Sequence, residues 1–121
     1  MMALLLKILK KYMEKKMTDQ FLENLLNTIK SKKKDDPESS YTAQLHQKGL
    51  EAILKKINEE AMETIVAASA KNKVELIHEL ADLWFHCLVL LSEKNLTVND
   101  IINELKRREG VSGIEEKKNR G

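Results

Sequence analysis

A chain of 121 residues is long enough for one domain with its own core and too short for two of ordinary size. Glycine, proline and aromatic residues are scarce beside abundant Leu, Ile, Lys, Glu and Asn, which excludes strand-rich classes and points to an all-α fold. The 21 basic and 19 acidic residues leave a net charge of +2, so there is no global signature of nucleic-acid binding. The lone Cys87 excludes an intramolecular disulfide and, without a cysteine cluster, speaks against a structural zinc site.

Residues 1–16 alternate Leu5, Ile8, Leu9 and Tyr12 with Lys7, Lys10, Lys11, Lys15 and Lys16. Such a basic amphipathic segment suits a membrane surface, an extra helix packed on the domain, or a mobile arm, and the expectation is one of the last two. Its apolar run is too short to span a membrane and lacks the order of charges that a signal peptide has. A cytoplasmic protein without a membrane partner is expected. From Met17, Thr18 or Asp19 can cap a helix in which Phe21, Leu22, Leu25, Leu26 and Ile29 keep helical spacing to about Ser31.

Residues 32–40 combine a lysine run, the sole proline and two serines, and read as a loop. Two readings stand for it: a solvated connector, or hydroxyls and ammonium groups that hold phosphate oxygens. Residues 41–48 suit a short helix closed by Gly49. A long helix follows from 50 to about 70, with Leu50, Ile53, Leu54, Ile57, Ala61 and Ile65 as the expected core stripe. Lys56, Glu60 and Glu63 line its flank, with Glu59 adjacent. Met62 and Val66 fall on another side, and a second apolar face in so small a chain points to a partner subunit.

After a break at residues 71–73, the most apolar helix extends from about 74 to 94. Glu79, Asp82 and His86 share one flank, while Leu80, Leu83, Trp84, Cys87 and Leu91 are assigned to the core side, with Cys87 as a buried, inert thiol. Asn95 is the expected terminator. Thr97 with Asp100 has capping-box spacing and opens a last helix to Arg108, ended by Gly110. Residues 111–121 read as a frayed tail, so that one domain spans 1–121.

The chemistry lies in the two long helices. Joined by a short turn they must pack antiparallel, which brings the flank of Glu60 and Glu63 towards that of Glu79 and Asp82. Positions three and four apart share a helical face, so these carboxylates converge and repel, and a cation is needed between them. All-oxygen ligation favours Mg²⁺ or Mn²⁺ over zinc. Such ions hold substrate phosphates, and the site suits metal-assisted phosphoanhydride hydrolysis. His86 fits either a base or partner of that site or a hydrogen-bonded structural histidine, with the structural role expected; His46 and His78 are expected at the surface.

The segment 37–45 (PESSYTAQL), Lys48-Gly49, the run 53–63 (ILKKINEEAME), then Glu79-Leu80-Ala81-Asp82-Leu83 and His86 resemble the phosphoribosyl-ATP pyrophosphohydrolase family, over roughly residues 21–108. That family belongs to the MazG-like pyrophosphohydrolases, which share EExxE followed by ExxD. The resemblance implies an antiparallel helical bundle forming a homodimer. It also implies Mg²⁺-dependent hydrolysis of phosphoribosyl-ATP to phosphoribosyl-AMP and pyrophosphate, the second step of histidine biosynthesis. Glu59, Glu60, Glu63, Glu79 and Asp82 match its metal-binding positions, with Glu60, Glu63, Glu79 and Asp82 expected to serve catalysis. Lys48, Lys55 and Lys56 match basic positions near phosphates, and Ser39, Ser40, Tyr41 and Thr42 match the loop near the substrate. The family begins near Met17, so residues 1–16 have no counterpart. No cyclohydrolase domain, to which many relatives are fused, is recognisable, and the next reaction is expected on another protein. Two competing readings are a house-cleaning nucleoside triphosphate pyrophosphohydrolase and a non-catalytic basic helical dimer.

Overall fold

The computed structural model describes residues 1–120, apart from the side chains of 15–19. Among the described residues there is no strand, as the composition predicts. The chain folds as α1 (Met2–Ser31), a 3-10 turn (Lys32–Lys34), α2 (Tyr41–Lys48), α3 (Leu50–Ser69), α4 (Lys73–Glu93), α5 (Val98–Arg108) and α6 (Gly113–Arg120). The cap expected at Thr18 or Asp19, next to Met17, falls on side chains outside the described residues. The described apolar side chains at the start of α1, among them Leu5, Ile8, Leu9 and Tyr12, are exposed, so this stretch is not a helix packed on the domain. No helix among the described residues is long and apolar enough to cross a membrane.

Local chemistry sets the boundaries. The Ser40 side chain accepts a hydrogen bond from the Ala43 amide at 3.2 Å and caps α2. Gly49, at φ 92° and ψ −173°, takes an extended positive-φ conformation that glycine tolerates, which closes α2 and lets α3 start at once. Asn72 caps α4 by accepting from the Glu75 amide at 3.1 Å. Asn95, with φ 56°, follows its end. Thr97 and Asp100 form the reciprocal capping box: the Asp100 amide donates to Thr97 Oγ1 at 3.1 Å and the Thr97 amide to Asp100 Oδ2 at 2.8 Å.

The core gathers Leu26 and Ile29 of α1, Leu45 of α2, Ile53 of α3, Leu88 and Val89 of α4 and Val98 of α5. Helix α4 runs through its middle, packed on α3 along most of its length and on α1 and α2. Two cross-helix bonds, Tyr41 to His86 and His46 to Ser92, ascend together in both helices, so α2 runs parallel to α4.

Which face looks inward differs from expectation. On α4 the buried residues are Glu79, His86, Leu88, Val89 and Ser92, whereas Leu80 and Trp84 are exposed. The stripe carrying the acidic residues is thus the one turned into the protein. Cys87 is exposed rather than a buried thiol, although partial burial still pushes its thiol up from the ordinary value. On α3 the buried stripe is Ile53, Glu60 and Ala67, while Leu54 and Ile65 are exposed. The reason is common to both helices: each is apolar on more than one side, so periodicity cannot select the inner face. His46 is also buried, not at the surface. Its Nδ1–H donates to the Thr42 carbonyl at 2.9 Å, and its Nε2 accepts from the Ser92 hydroxyl at 3.0 Å. Residues 113–120 form α6 instead of a frayed tail.

Candidate active site

The antiparallel pairing of α3 and α4 carries Glu60 and Glu63 across to Glu79. One ligand atom from each of these three lies within 4.8 Å of the others, and a second set of the same spread joins Glu79 to His78 and Asp82. Glu79 belongs to both. Glu60 is 5 % and Glu79 8 % exposed, and the Oε2 atom of each is buried with no hydrogen-bond partner. Glu63 is exposed and Asp82 half-buried. A cleft of about 390 Å³ opens beside Glu63 and Glu79, walled by Met62, Val66, Ala67 and Ala70.

Like charges this close resist ionisation. The Glu79 carboxyl is pushed up to about 7, first by its hydrogen bond with Glu63, then by burial, by a hydrogen bond with Glu75 and by the charges of Glu63 and Glu60. A hydrogen bond between two carboxyl groups needs a proton on one of them, so Glu79 keeps its proton where an ordinary glutamate has lost it. Glu75 was not singled out from the sequence. Its signal was its place one turn before Glu79, on the same helical face.

Glu59 stands apart from both sets. It pairs with Lys56 at 3.3 Å, and Lys56 Nζ also lies 3.4 Å from Glu60 Oε1. Lys56 therefore stands at the edge of the cluster, while Lys48 and Lys55 are simply exposed. Tyr41 comes close enough that Lys56, Glu60, Glu59 and Asp82 all act on its phenol, which burial pushes up. The Ser39 hydroxyl donates to the Asp36 carbonyl at 3.2 Å, and Ser40 is the cap of α2. The Thr42 side chain is buried.

His78 is exposed, as expected, and lies 3.3 Å from Asp82. His86 is buried and hydrogen-bonded through both nitrogens, to the Asp82 carbonyl at 2.7 Å and to the Tyr41 hydroxyl at 2.8 Å. Both nitrogens are engaged, as expected of a hydrogen-bonded histidine, and neither is free to act as a base.

The donor set fits a hard divalent cation. Its atoms are carboxylate oxygens apart from His78, and the Oε2 atoms of Glu60 and Glu79 add buried oxygens without a hydrogen-bond partner, which a cation would satisfy. Fold and site together define an all-α protein with an acidic, hard-cation-type cluster across one antiparallel helix pair. The profile of the phosphoribosyl-ATP pyrophosphohydrolase family matches residues 22–109, and the chain belongs to that family. It is similar to proteins named phosphoribosyl-ATP pyrophosphatase. The one from Azoarcus sp. (strain BH72) is 50 % identical over 101 residues, which is 84 % of this chain and 94 % of that one. The one from Chromobacterium violaceum is 48 % identical over 104 residues, 86 % and 96 % of the two chains. The one from Burkholderia vietnamiensis is 51 % identical over 104 residues, 83 % and 86 %.

Proposed function

We propose that this protein hydrolyses phosphoribosyl-ATP to phosphoribosyl-AMP and pyrophosphate, the second step of histidine biosynthesis, with Mg²⁺ or, in its place, Mn²⁺. Family membership and the name shared by the relatives support the reaction. The observation that carries the site is the convergence of ligand atoms from Glu60, Glu63 and Glu79 within 4.8 Å, two of these residues keeping a buried oxygen without a partner.

Glu60, Glu63 and Glu79 would hold the ion, with Asp82 completing the set from the next turn of α4. Glu59 joins only by leaving Lys56. Held by these carboxylates, such an ion would supply neutralisation of phosphate charge and a more acidic water. Lys56 is the ammonium placed to meet a phosphate oxygen over the cluster. Glu63 is the exposed member of the set, and its outward oxygen is the one open to a proton from the attacking water. The elements of water add across the α–β phosphoanhydride, and pyrophosphate leaves.

The same reading includes a homodimer acting in the cytoplasm without a nucleic-acid partner. Met62, Ile65 and Val66 of α3 and Val74, Ile77 and Trp84 of α4 are all exposed, Trp84 at 61 %, and an apolar face of this kind suits a second copy. Trp84→Glu is expected to shift the protein from dimer to monomer in analytical ultracentrifugation.

The deciding assay follows pyrophosphate from the purified protein and phosphoribosyl-ATP. Release is expected with Mg²⁺ and not with a chelator, and dCTP and dUTP are expected to react far more slowly. Equal rates on all three nucleotides would favour the house-cleaning reading.

A further inference from the structure

His86 does not face the cleft as a base, yet it is tied to both sides of the site. Its Nδ1 lies 2.7 Å from the Asp82 carbonyl oxygen. A carbonyl only accepts, so Nδ1 carries the ring proton and, in the neutral ring, Nε2 is left as an acceptor. The Tyr41 hydroxyl, 2.8 Å away, must then donate to Nε2. Both bonds thus have a fixed direction, from the Tyr41 hydroxyl to the His86 ring and from the ring to the backbone of Asp82. Tyr41 opens α2 directly after Ser39 and Ser40, and Asp82 belongs to the acidic cluster.

We propose that His86 is a positioning residue for the reaction: it clamps Tyr41, and with it the turn at residues 39–42, to the turn of α4 that carries Asp82. This rests on the pyrophosphohydrolase reading above. The clamp sets the distance between the loop that meets the nucleotide and the carboxylates that meet the cation. It also spends the phenol proton on His86, so the Tyr41 oxygen presents only lone pairs to its surroundings.

The molecule contains its own control. His46 donates to the Thr42 carbonyl of its own helix and accepts from the Ser92 hydroxyl of α4, the mirror image of the His86 arrangement: one bond within a helix and one between α2 and α4, one to two turns further along. Ser92 and His46 are buried and belong to neither carboxylate set. Tyr41→Phe and Ser92→Ala each remove one hydroxyl that donates to a histidine Nε2 between α2 and α4.

The test compares KM and kcat for phosphoribosyl-ATP with thermal melting in both variants, and adds His86→Phe alone and combined with Tyr41→Phe. His86→Gln replaces His86→Phe if the latter fails to fold. Tyr41→Phe is expected to raise KM about tenfold with kcat changed about threefold or less, while Ser92→Ala lowers the melting temperature and leaves KM unaltered. The double variant at 41 and 86 is expected to lose no more than either single one, because the two residues act as one unit. An unchanged KM in Tyr41→Phe overturns the inference, as do losses at 41 and 86 that multiply, since Tyr41 would then act without His86. Absence of turnover by the unaltered protein instead overturns the underlying reading, and with it this one.

Discussion

Glu79 on α4 and Glu116 on α6 are buried to nearly the same degree, 8 % and 6 % exposed, and each keeps an Oε2 atom without a partner. They titrate in opposite directions. Arg107 donates to Glu116 Oε1 at 2.6 Å and holds that carboxyl below the usual range. The same guanidinium grips Glu104 at 2.8 and 3.0 Å and, with Arg108, pulls it down to about 2. Glu79 meets other carboxyls instead and is pushed up to about 7. Burial alone raises both groups; the nearest charge decides the sign. The α5–α6 end is therefore a closed clasp whose charges are matched inside the chain, whereas the α3–α4 end carries a negative surplus that only something from outside can balance.

The sharpest way to break this contrast is to neutralise each glutamate in turn. Glu79→Gln is expected to lower kcat/KM on the order of 100-fold or more, while raising the melting temperature of the metal-free protein above about pH 7, where Glu79 otherwise carries a repelling charge. Glu116→Gln is expected to do the reverse, lowering the melting temperature through loss of the Arg107 pair and leaving activity close to that of the unaltered protein. If both variants moved stability the same way, the distinction between surplus and clasp would be lost.

Acidity sharpens it next. Glu79 stands above the ordinary 4.5, so its contribution to metal-free stability is fully present below about pH 4.5 and is lost as the pH rises through about 7. Glu104 stands below 4.5, so its contribution is present above about pH 4.5 and is lost as the pH falls towards 2. An ion must displace the Glu79 proton. Mg²⁺ affinity is thus expected to rise by up to about tenfold per pH unit below 7 and to level off above it, with proton release visible by calorimetry in buffers of different ionisation enthalpy. A flat profile would remove Glu79 from the ligand set. The smallest effect is a purely local one: Thr97→Ala removes the α5 cap and should cost about 1 kcal/mol in urea denaturation, without altering Mg²⁺ binding.

Much of the fold was legible because its signals are local. Gly49, Asn95 and the Thr97–Asp100 box each act within a few residues, and each stands where the spacing predicts. The C-terminal helix was not legible. Its hold comes from Glu116 reaching back to Arg107, an interaction no local propensity announces. The acidic cluster was legible as two helical repeats of carboxylates, but the membership of Glu59 was not, since Lys56 on the same helix draws it aside.

By itself, the sequence determined that the protein is helical, where most helices begin and end, and that carboxylates on two adjoining helices must converge, because these follow from residue type and spacing along one chain. Only the tertiary structure decided which face of α4 looks inward. Leu80, Trp84 and Cys87 are as apolar as the residues that are buried, so hydrophobicity could not choose between the two faces. The choice lies with contacts across the bundle: Leu88 and Val89 enter the core, Ser92 meets His46, and His86 meets Tyr41. By turning that stripe inward the packing buries Glu79 beside Glu60 and takes both from water, which is what sets this acidic pair apart from a solvated surface.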